Sequence, residues 1–396
     1  MKIAFYMTTV LEYGGGLEKY LIETAANMSR LPGVQADVIT MDNKHTDRIV
    51  KSLSLFYMKR IDPKLSYKED IADIRQQLGN ATYYKATSIA DLRQRLQQYD
   101  VVYSKNELLE GFVFKVLVGY KSIPPVIFGG HTALHYPVAT SLTAKLHNVL
   151  YAGWPYKFLA GGVSKFHALN GHDAALYKQL FPKREVARIY NPFDIAAFRQ
   201  KATAHPYTLS TDTNHLYVMW IGRLTEQKGV ADLVRLIPAV NARLEGTGTK
   251  VIWDIFGDGD LRSDVENLAN HASNVRYFGH IDQASIASVY QKHQFLVSTS
   301  KWEGYPYTLI EPQAFGLQLF AYDIPGPADI LEAYEGGHIA TGFDALVDQL
   351  ARALQRYDTP ADIPPSQPSA QFEPRTIYQQ LLSLLKTGET THARTD

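Results

Sequence analysis

The sequence of 396 residues contains no cysteine. Disulfide bonds, thiolate catalysis and cysteine-ligated zinc or iron–sulfur centres are excluded. A reducing, cytoplasmic setting is the expectation that fits. Long apolar runs are also missing: no stretch approaches the roughly 18 uninterrupted apolar residues of a membrane-spanning helix. The first residues, MKIAFYM, lack the apolar core of a secretory leader, so no leader is expected. Net charge is absent too, with Lys+Arg at 40 and Asp+Glu at 40. With neither a basic excess nor an obvious basic stripe, nucleic acid is not an expected partner.

What is present is ordinary globular composition, 45% hydrophobic and 20% charged. The length favours two or three domains at roughly 100–200 residues each. KIAFYM (2–7) leads into a glycine cluster at Gly14–Gly16 and an amphipathic stretch, which reads as strand, loop and helix. Further apolar strands are expected at ADVITM (36–41), VVYS (101–104), PVIFGG (125–130), FLAGGVSKF (158–166) and VARIYN (186–191), with helices near 67–78 and 87–98. A second series begins at HLYVMWIGRL (215–224). It continues through KVIWDIFG (250–257), VRYFG (275–279), QFLVSTS (294–300) and LQLFAYDI (317–324), with a helix expected at 307–315. Alternation of this kind predicts an α/β chain with two Rossmann-like domains, each a largely parallel sheet covered on both faces. The expected boundaries are a first domain at 1–194, a linker at 195–214, a second domain at 215–370, a final helix at 371–388 and a tail at 389–396. Ligands of such sheets sit beyond the carboxyl ends of the strands, so a cleft between the domains is the expected site.

Residues with chemistry cluster at those strand ends. Gly15 and Gly16 follow the first strand, where a plain turn and a phosphate or sugar site both fit. Gly257 lies in FGDGD (256–260), suited to a tight turn or to ligand contact. Arg223 and Lys228, in GRLTEQKG, follow the first strand of the second series. Two cations there can neutralise a diphosphate, or form a solvated loop pair. In SKWEGYPYTLIEPQAFG (300–316), seven residues separate Glu303 from Glu311. Gly304 and Pro306 interrupt a helix, so Glu303 is expected on a loop and Glu311 on the helix that follows. Backbone N–H groups of Tyr307, Thr308 and Leu309 would then be open to phosphate. Glu311 would accept hydrogen bonds from ribose hydroxyls, or each acid would be a cap or surface group.

Taken together, GGGLEKY, GGHTA (129–133), VSKF (163–166), IYNPFD (189–194), GRLTEQKG, FGDGDLR (256–262) and EGYPYTLIEPQAFG (303–316) resemble the retaining glycosyltransferases of family 4, of GT-B fold. The resemblance runs through almost the whole chain. It implies that Arg223 and Lys228 bind the donor diphosphate, Glu311 the ribose and Glu303 the donor sugar. It also places Gly15 and Gly16 near the diphosphate and acceptor, and His131 near the reacting sugar. The final helix would cross back to the first domain. The chain departs from the family at Pro192, at Pro312 and in AYDIPGPADI (321–330), which is similar to a subgroup building bacterial surface glycans.

The implied reaction transfers a hexose or N-acetylhexosamine, with retention, from a nucleoside-diphosphate sugar. A UDP-sugar is expected before a GDP-sugar, and no metal or other cofactor is expected to be required. The acceptor would be a glycan, a lipid-linked or a protein-linked hydroxyl. SLSLFYMKRIDPK (52–64), with aromatics and cations, fits contact with a lipid-linked acceptor or peripheral contact at the inner membrane face, and equally a satisfied edge strand. An epimerase of GT-B architecture and a non-catalytic nucleotide-sugar-binding protein are the competing readings. A glycoside hydrolase, which needs two acids flanking a sugar bond, would leave the cation pair without a purpose.

Overall fold

A computed structural model of the chain describes residues 1–14, 16–42, 44, 69–105, 107–131, 134–135 and 142–386. Gly15, the segment 52–64 and the tail 389–396 lie outside the described residues, as do the last two positions of GGHTA. The chain divides into two compact units, Met1–Asn191 with the chain from Arg375 onward, and Pro192–Pro374.

In the first unit, seven parallel strands are β1 (Lys2–Met7), β2 (Gln35–Met41), β3 (Tyr83–Ala86), β4 (Val101–Lys105), β5 (Val126–Gly130), β6 (Lys165–Ala168) and β7 (Glu185–Arg188). Their order is β3-β2-β1-β4-β5-β6-β7. Every residue of β1 from Ile3 to Met7 is buried. Ile3, Phe5 and Met7 face one core and Ala4 and Tyr6 the other, because successive side chains of a strand alternate between faces. The final helix, Pro374–Leu385, sets Ile377, Leu381, Leu384 and Leu385 into the core behind Ile3 and Phe5.

In the second unit, six parallel strands are β8 (Leu216–Ile221), β9 (Val251–Phe256), β10 (Val275–Gly279), β11 (Phe295–Ser298), β12 (Gln318–Tyr322) and β13 (Gly337–Ala340). Their order is β10-β9-β8-β11-β12-β13. β8 lies between β9 and β11, so the loops leaving β8, β9 and β11 are neighbours at the carboxyl end of the sheet. The helices Val230–Leu244 and Phe343–Leu354 press Leu233, Leu236, Ile237, Leu346 and Leu350 onto one face.

Three local expectations are corrected. Residues 195–214 are not simply a linker: Ile195–Ala204 is a helix capped by Asp194, whose carboxylate accepts from Ala197 N at 2.8 Å. Its buried Phe198 packs near Phe315 and Tyr290 of the same unit. FLAGGVSKF is not one strand. Trp154–Leu159 is helical, with proline in its first turn where no N–H is needed, and the strand starts only at Lys165. The helix expected at 307–315 is two 3₁₀ turns, Tyr307–Leu309 and Glu311–Phe315. Pro312 has no N–H to continue an α-helix, and Gly316, at φ +74°, ends the second turn. The apolar pattern does not announce β3 and β13; both are short, and only the last residue of each is buried. Among the described residues, no helix is long and apolar enough to cross a membrane.

Candidate functional site

The loop after β8 carries both cations, and two neighbouring loops hold its backbone. On one side, Leu224 N donates to Asp258 O at 2.9 Å and Leu261 N donates back to Leu224 O at 2.9 Å. Gly257 sits at φ +138°, and a Cβ there would collide with Gly222 O. Only glycine permits that approach. Its observed role is thus to seat the Arg223 loop. Arg223 itself is exposed and reaches Gln227 Oε1 at 3.4 Å.

On the other side, the loop after β11 is laced to Lys228. Thr299 Oγ1 donates to Lys228 O at 2.9 Å and accepts from Trp220 Nε1 at 3.0 Å. Lys301 N donates to Gln227 O at 2.8 Å. Gly229, at φ +68°, turns the chain into the helix Val230–Leu244, and a Cβ there would run into Thr299 O. This lacing brings two of the sequence candidates together: Lys228 Nζ lies 2.5 Å from Glu303 Oε1. The same oxygen accepts from Ser300 Oγ at 2.7 Å. The Glu303 side chain is only 8% exposed. Its second oxygen has no protein donor among the described residues, so it can accept a hydroxyl from a ligand. Lys228 is thus anchored while Arg223 extends into solvent, the reverse of the usual mobility of the two side chains. The AYDIPGPADI segment closes on this loop through Gly326, at φ +88°, where a Cβ would lie 2.7 Å from Gly304 O.

Glu311 is held separately. Tyr290 OH donates to its Oε2 at 3.1 Å. Burial pushes the carboxyl up to about 7, against the opposing effects of that hydrogen bond and of Lys201. Lys201 comes from the helix Ile195–Ala204, so a segment read as linker supplies a cation that acts on this acid. Leu309 is buried and its N–H donates to Pro306 O at 3.0 Å. It is therefore not an open phosphate donor, since the 3₁₀ turn consumes it. Tyr307 is exposed and Thr308 half-buried on the same turn.

In the first unit, Gly16 opens the helix Gly16–Met28. That helix presents Tyr20, whose ring lies 4.2 Å from that of His131. His131 ends a hydrogen-bonded chain whose direction can be deduced. His167 Nε2 lies 2.6 Å from Ile189 O, a pure acceptor, so Nε2 carries the proton. Burial lowers His167 to about 4, with the Ile189 bond opposing, so the ring is neutral. Its Nδ1 must then accept from Tyr103 OH, at 2.7 Å. The Tyr103 oxygen in turn accepts from His131 Nε2, at 2.9 Å. Burial, then the neighbouring His167, hold His131 well below its ordinary value. His131 is thus neutral, with its lone pair on Nδ1. Gly129 makes this hub possible, because a Cβ there would overlap Tyr103 OH.

Among the described residues, no three His, Cys, Asp or Glu side chains converge on a metal-binding position. Sequence reasoning does not single out Ser300, Tyr290, Lys201, Tyr103 or His167. Ser300 opens the Glu303 segment and could be found there. Lys201 lies in the stretch expected as linker, Tyr103 lies inside the expected strand VVYS, and His167 falls just beyond the expected strand 158–166.

Of the second unit's candidates, Lys228 and Glu303 thus meet where β8 and β11 end side by side. Residues 205–365 match the family model of glycosyl transferases group 1. That match lies within the second unit and contains Arg223, Lys228, Glu303 and Glu311. An uncharacterized glycosyltransferase of Methanocaldococcus jannaschii is 24% identical over 159 residues, covering 38% of this chain and 40% of that protein. The GtfA subunit of a UDP-N-acetylglucosamine–peptide N-acetylglucosaminyltransferase from Streptococcus pneumoniae is 28% identical over 136 residues, 33% of this chain and 26% of that one. The aligned stretches span less than half the length of these curated relatives. Among solved structures, the lipopolysaccharide outer core galactosyltransferase WaaB aligns with a TM-score of 0.66 at 18% identity, over 97% of this chain and 98% of that one. Anabaena HepE in complex with UDP and glucose aligns with a TM-score of 0.59 at 18% identity, over 97% and 99%. At these identities the likeness establishes the fold, two Rossmann-like α/β units of the GT-B class.

Proposed function

We propose that this protein is a retaining glycosyltransferase. It moves a hexose or N-acetylhexosamine from a UDP-sugar to a hydroxyl of a glycan, lipid-linked or protein-linked acceptor in surface-glycan synthesis. The observation that carries the reading is the Lys228–Glu303 pair at the joined ends of β8 and β11, inside the region matching glycosyl transferases group 1. The pairing of an ammonium with a carboxylate that keeps one oxygen for a ligand suits a sugar joined to a diphosphate. Support for a surface-glycan role comes from an amylovoran biosynthesis glycosyltransferase of Erwinia amylovora, 24% identical over 185 residues, 44% of this chain and 48% of that one. The GtfA relative and the UDP complex of HepE support a UDP-linked donor.

In this reading Arg223 and Lys228 face the diphosphate and stabilise charge as it grows on the leaving oxygen. Glu303 Oε2 accepts a donor-sugar hydroxyl, and Glu311 accepts the ribose hydroxyls. The sugar C1–O bond to phosphate breaks and a C1–O bond to the acceptor forms on the same face. The acceptor proton passes to the departing diphosphate oxygen. His131, in the first unit, keeps an Nδ1 lone pair that can accept a ligand hydroxyl.

The test is a donor screen on the full chain, following nucleoside diphosphate release with UDP- and GDP-sugars, with and without glycan and lipid-linked acceptors. Release of UDP with a retained anomer in the product supports the reading. Interconversion of the donor sugar without UDP release would instead establish the epimerase. Donor binding with neither outcome would establish the non-catalytic protein.

A further inference from the structure

The first unit carries an apolar, cationic surface that the transferase reading does not use. Three segments build it: the helix Leu108–Phe112 running into a π-helical turn Val113–Val118, the helix Leu142–Ala152, and the helix Trp154–Leu159. All connect β4 to β5 or β5 to β6. Their inward residues, Val113, Phe114, Val118, Tyr151 and Tyr156, fill the core behind Tyr6 and Phe128. The outward side of such connecting helices is ordinarily polar. Here Trp154 is 75% exposed, Val149 67%, Val116 53% and Phe158 51%. Phe112 and Leu146 are exposed as well.

The residues adjoin one another. Lys115 Nζ lies 5.0 Å over the Phe158 ring, joining the π-helical turn to the third segment. The Trp154 and Phe158 rings are 6.4 Å apart. At Gly153 a Cβ would lie 2.6 Å from Val149 O, where the second and third helices meet.

Charge identifies the occupant. The chain is neutral overall, yet from Gly111 to His172 there is no Asp or Glu, while Lys115, Lys121, Lys145, Lys157 and Lys165 are all present. Lys115, Lys145 and Lys157 are exposed among the apolar residues. A second copy on the same face would set lysine against lysine. Tryptophan with lysines around protruding aliphatic side chains instead matches the boundary of a bilayer, where the rings enter the headgroup region and the ammonium groups meet lipid phosphate.

We propose that this surface docks the protein on an anionic lipid membrane, with Trp154, Phe158, Val149 and Val116 entering the interface and Lys115 and Lys157 pairing with headgroup phosphates. It is a different part of the chain from the 52–64 segment, and it stands independently of the donor chemistry. The experiment is co-sedimentation of the full chain with vesicles of phosphatidylcholine alone and of phosphatidylcholine with phosphatidylglycerol. The wild type is expected on the anionic vesicles and largely free of the neutral ones. K115E/K157E and, separately, W154A/F158A are each expected to weaken vesicle binding by roughly tenfold or more. Both pairs change exposed side chains, and unchanged circular dichroism and thermal unfolding would show the fold intact. No wild-type binding to anionic vesicles would overturn the proposal, as would equal binding to neutral ones or undiminished binding by either variant. Sedimentation velocity showing a wild-type dimer that W154A/F158A dissolves would assign the surface to a second copy and overturn it too.

Discussion

Replacing Glu311 by glutamine tests whether its position is built for a charge that arrives only with ligand. Burial raises this carboxyl from the ordinary 4.5 to about 7, despite the Tyr290 hydroxyl and Lys201. The folded protein therefore holds a proton there that the unfolded chain has released between those two values. Stability from this site is fully present below the unfolded value and is lost as pH rises through about 7. Each tenfold change in proton affinity is about 1.4 kcal/mol, so the full displacement corresponds to about 3 kcal/mol. The residue keeps some exposure, and solvent screening reduces this to about 1–2 kcal/mol. E311Q keeps the shape and the acceptor for Tyr290 but carries no charge. Thermal unfolding of the ligand-free chain at about pH 5 and about pH 8.5 should show E311Q gaining on the wild type by that amount at the higher pH. Calorimetry should show the reverse for UDP: wild-type affinity rising with pH as the carboxylate forms, and E311Q binding weakly throughout. A stability difference between E311Q and wild type that stays flat across that pH range would refute the buried-charge argument. Equal UDP affinity would refute the ribose assignment separately.

K228A removes the partner of Glu303 at 2.5 Å and should lower UDP release in the transfer assay by about two to three orders of magnitude, with circular dichroism unchanged; near-normal turnover would exclude Lys228 from the diphosphate site. G257A forces a Cβ into Gly222 O at φ +138°, and should cost about 3–5 kcal/mol of stability in denaturant unfolding; a loss below about 1 kcal/mol would show that the loop yields. Y103F removes the hub between His131 and His167. Nitrogen-15 NMR of labelled histidine should find wild-type His131 protonated at Nε2 and the Y103F protein a mixture of tautomers; a mixture already in the wild type would contradict the deduced direction of the hydrogen bonds.

Much of the fold is legible because buried parallel strands read as short continuous apolar runs. KIAFYM and YVMWIG mark β1 and β8 closely, since burial on both faces removes any need for polar alternation. β3 and β13 carry no such run, as edge strands bury little. The helix Ile195–Ala204 is obscure in the sequence because most of its apolar residues are small alanines and only Phe198 and Ala202 are buried, so no strong apolar stripe marks it. Pro312 is visible as a departure from the family pattern, but the 3₁₀ turn it imposes around Glu311 emerges only with the fold. At the site, residue identities and their order are readable, but distances are not.

The linear order of residues was enough to fix the chemical types and their place at strand ends. Arg223, Lys228, Glu303 and Glu311 follow apolar strands, and no cysteine competes with them for chemistry. Which of them meet was settled by folding. Lys228 touches Glu303 because β8 and β11 are hydrogen-bonded neighbours, with Phe295 opposite Val218 and Leu296 opposite Met219. Nothing local in the sequence records that adjacency, because strand order is set by how the intervening helices cross the sheet. The burial that raises Glu311 and the direction of the His167–Tyr103–His131 chain are likewise tertiary. Each depends on which groups surround a side chain after the sheet has formed, and a linear order of residues does not contain that information.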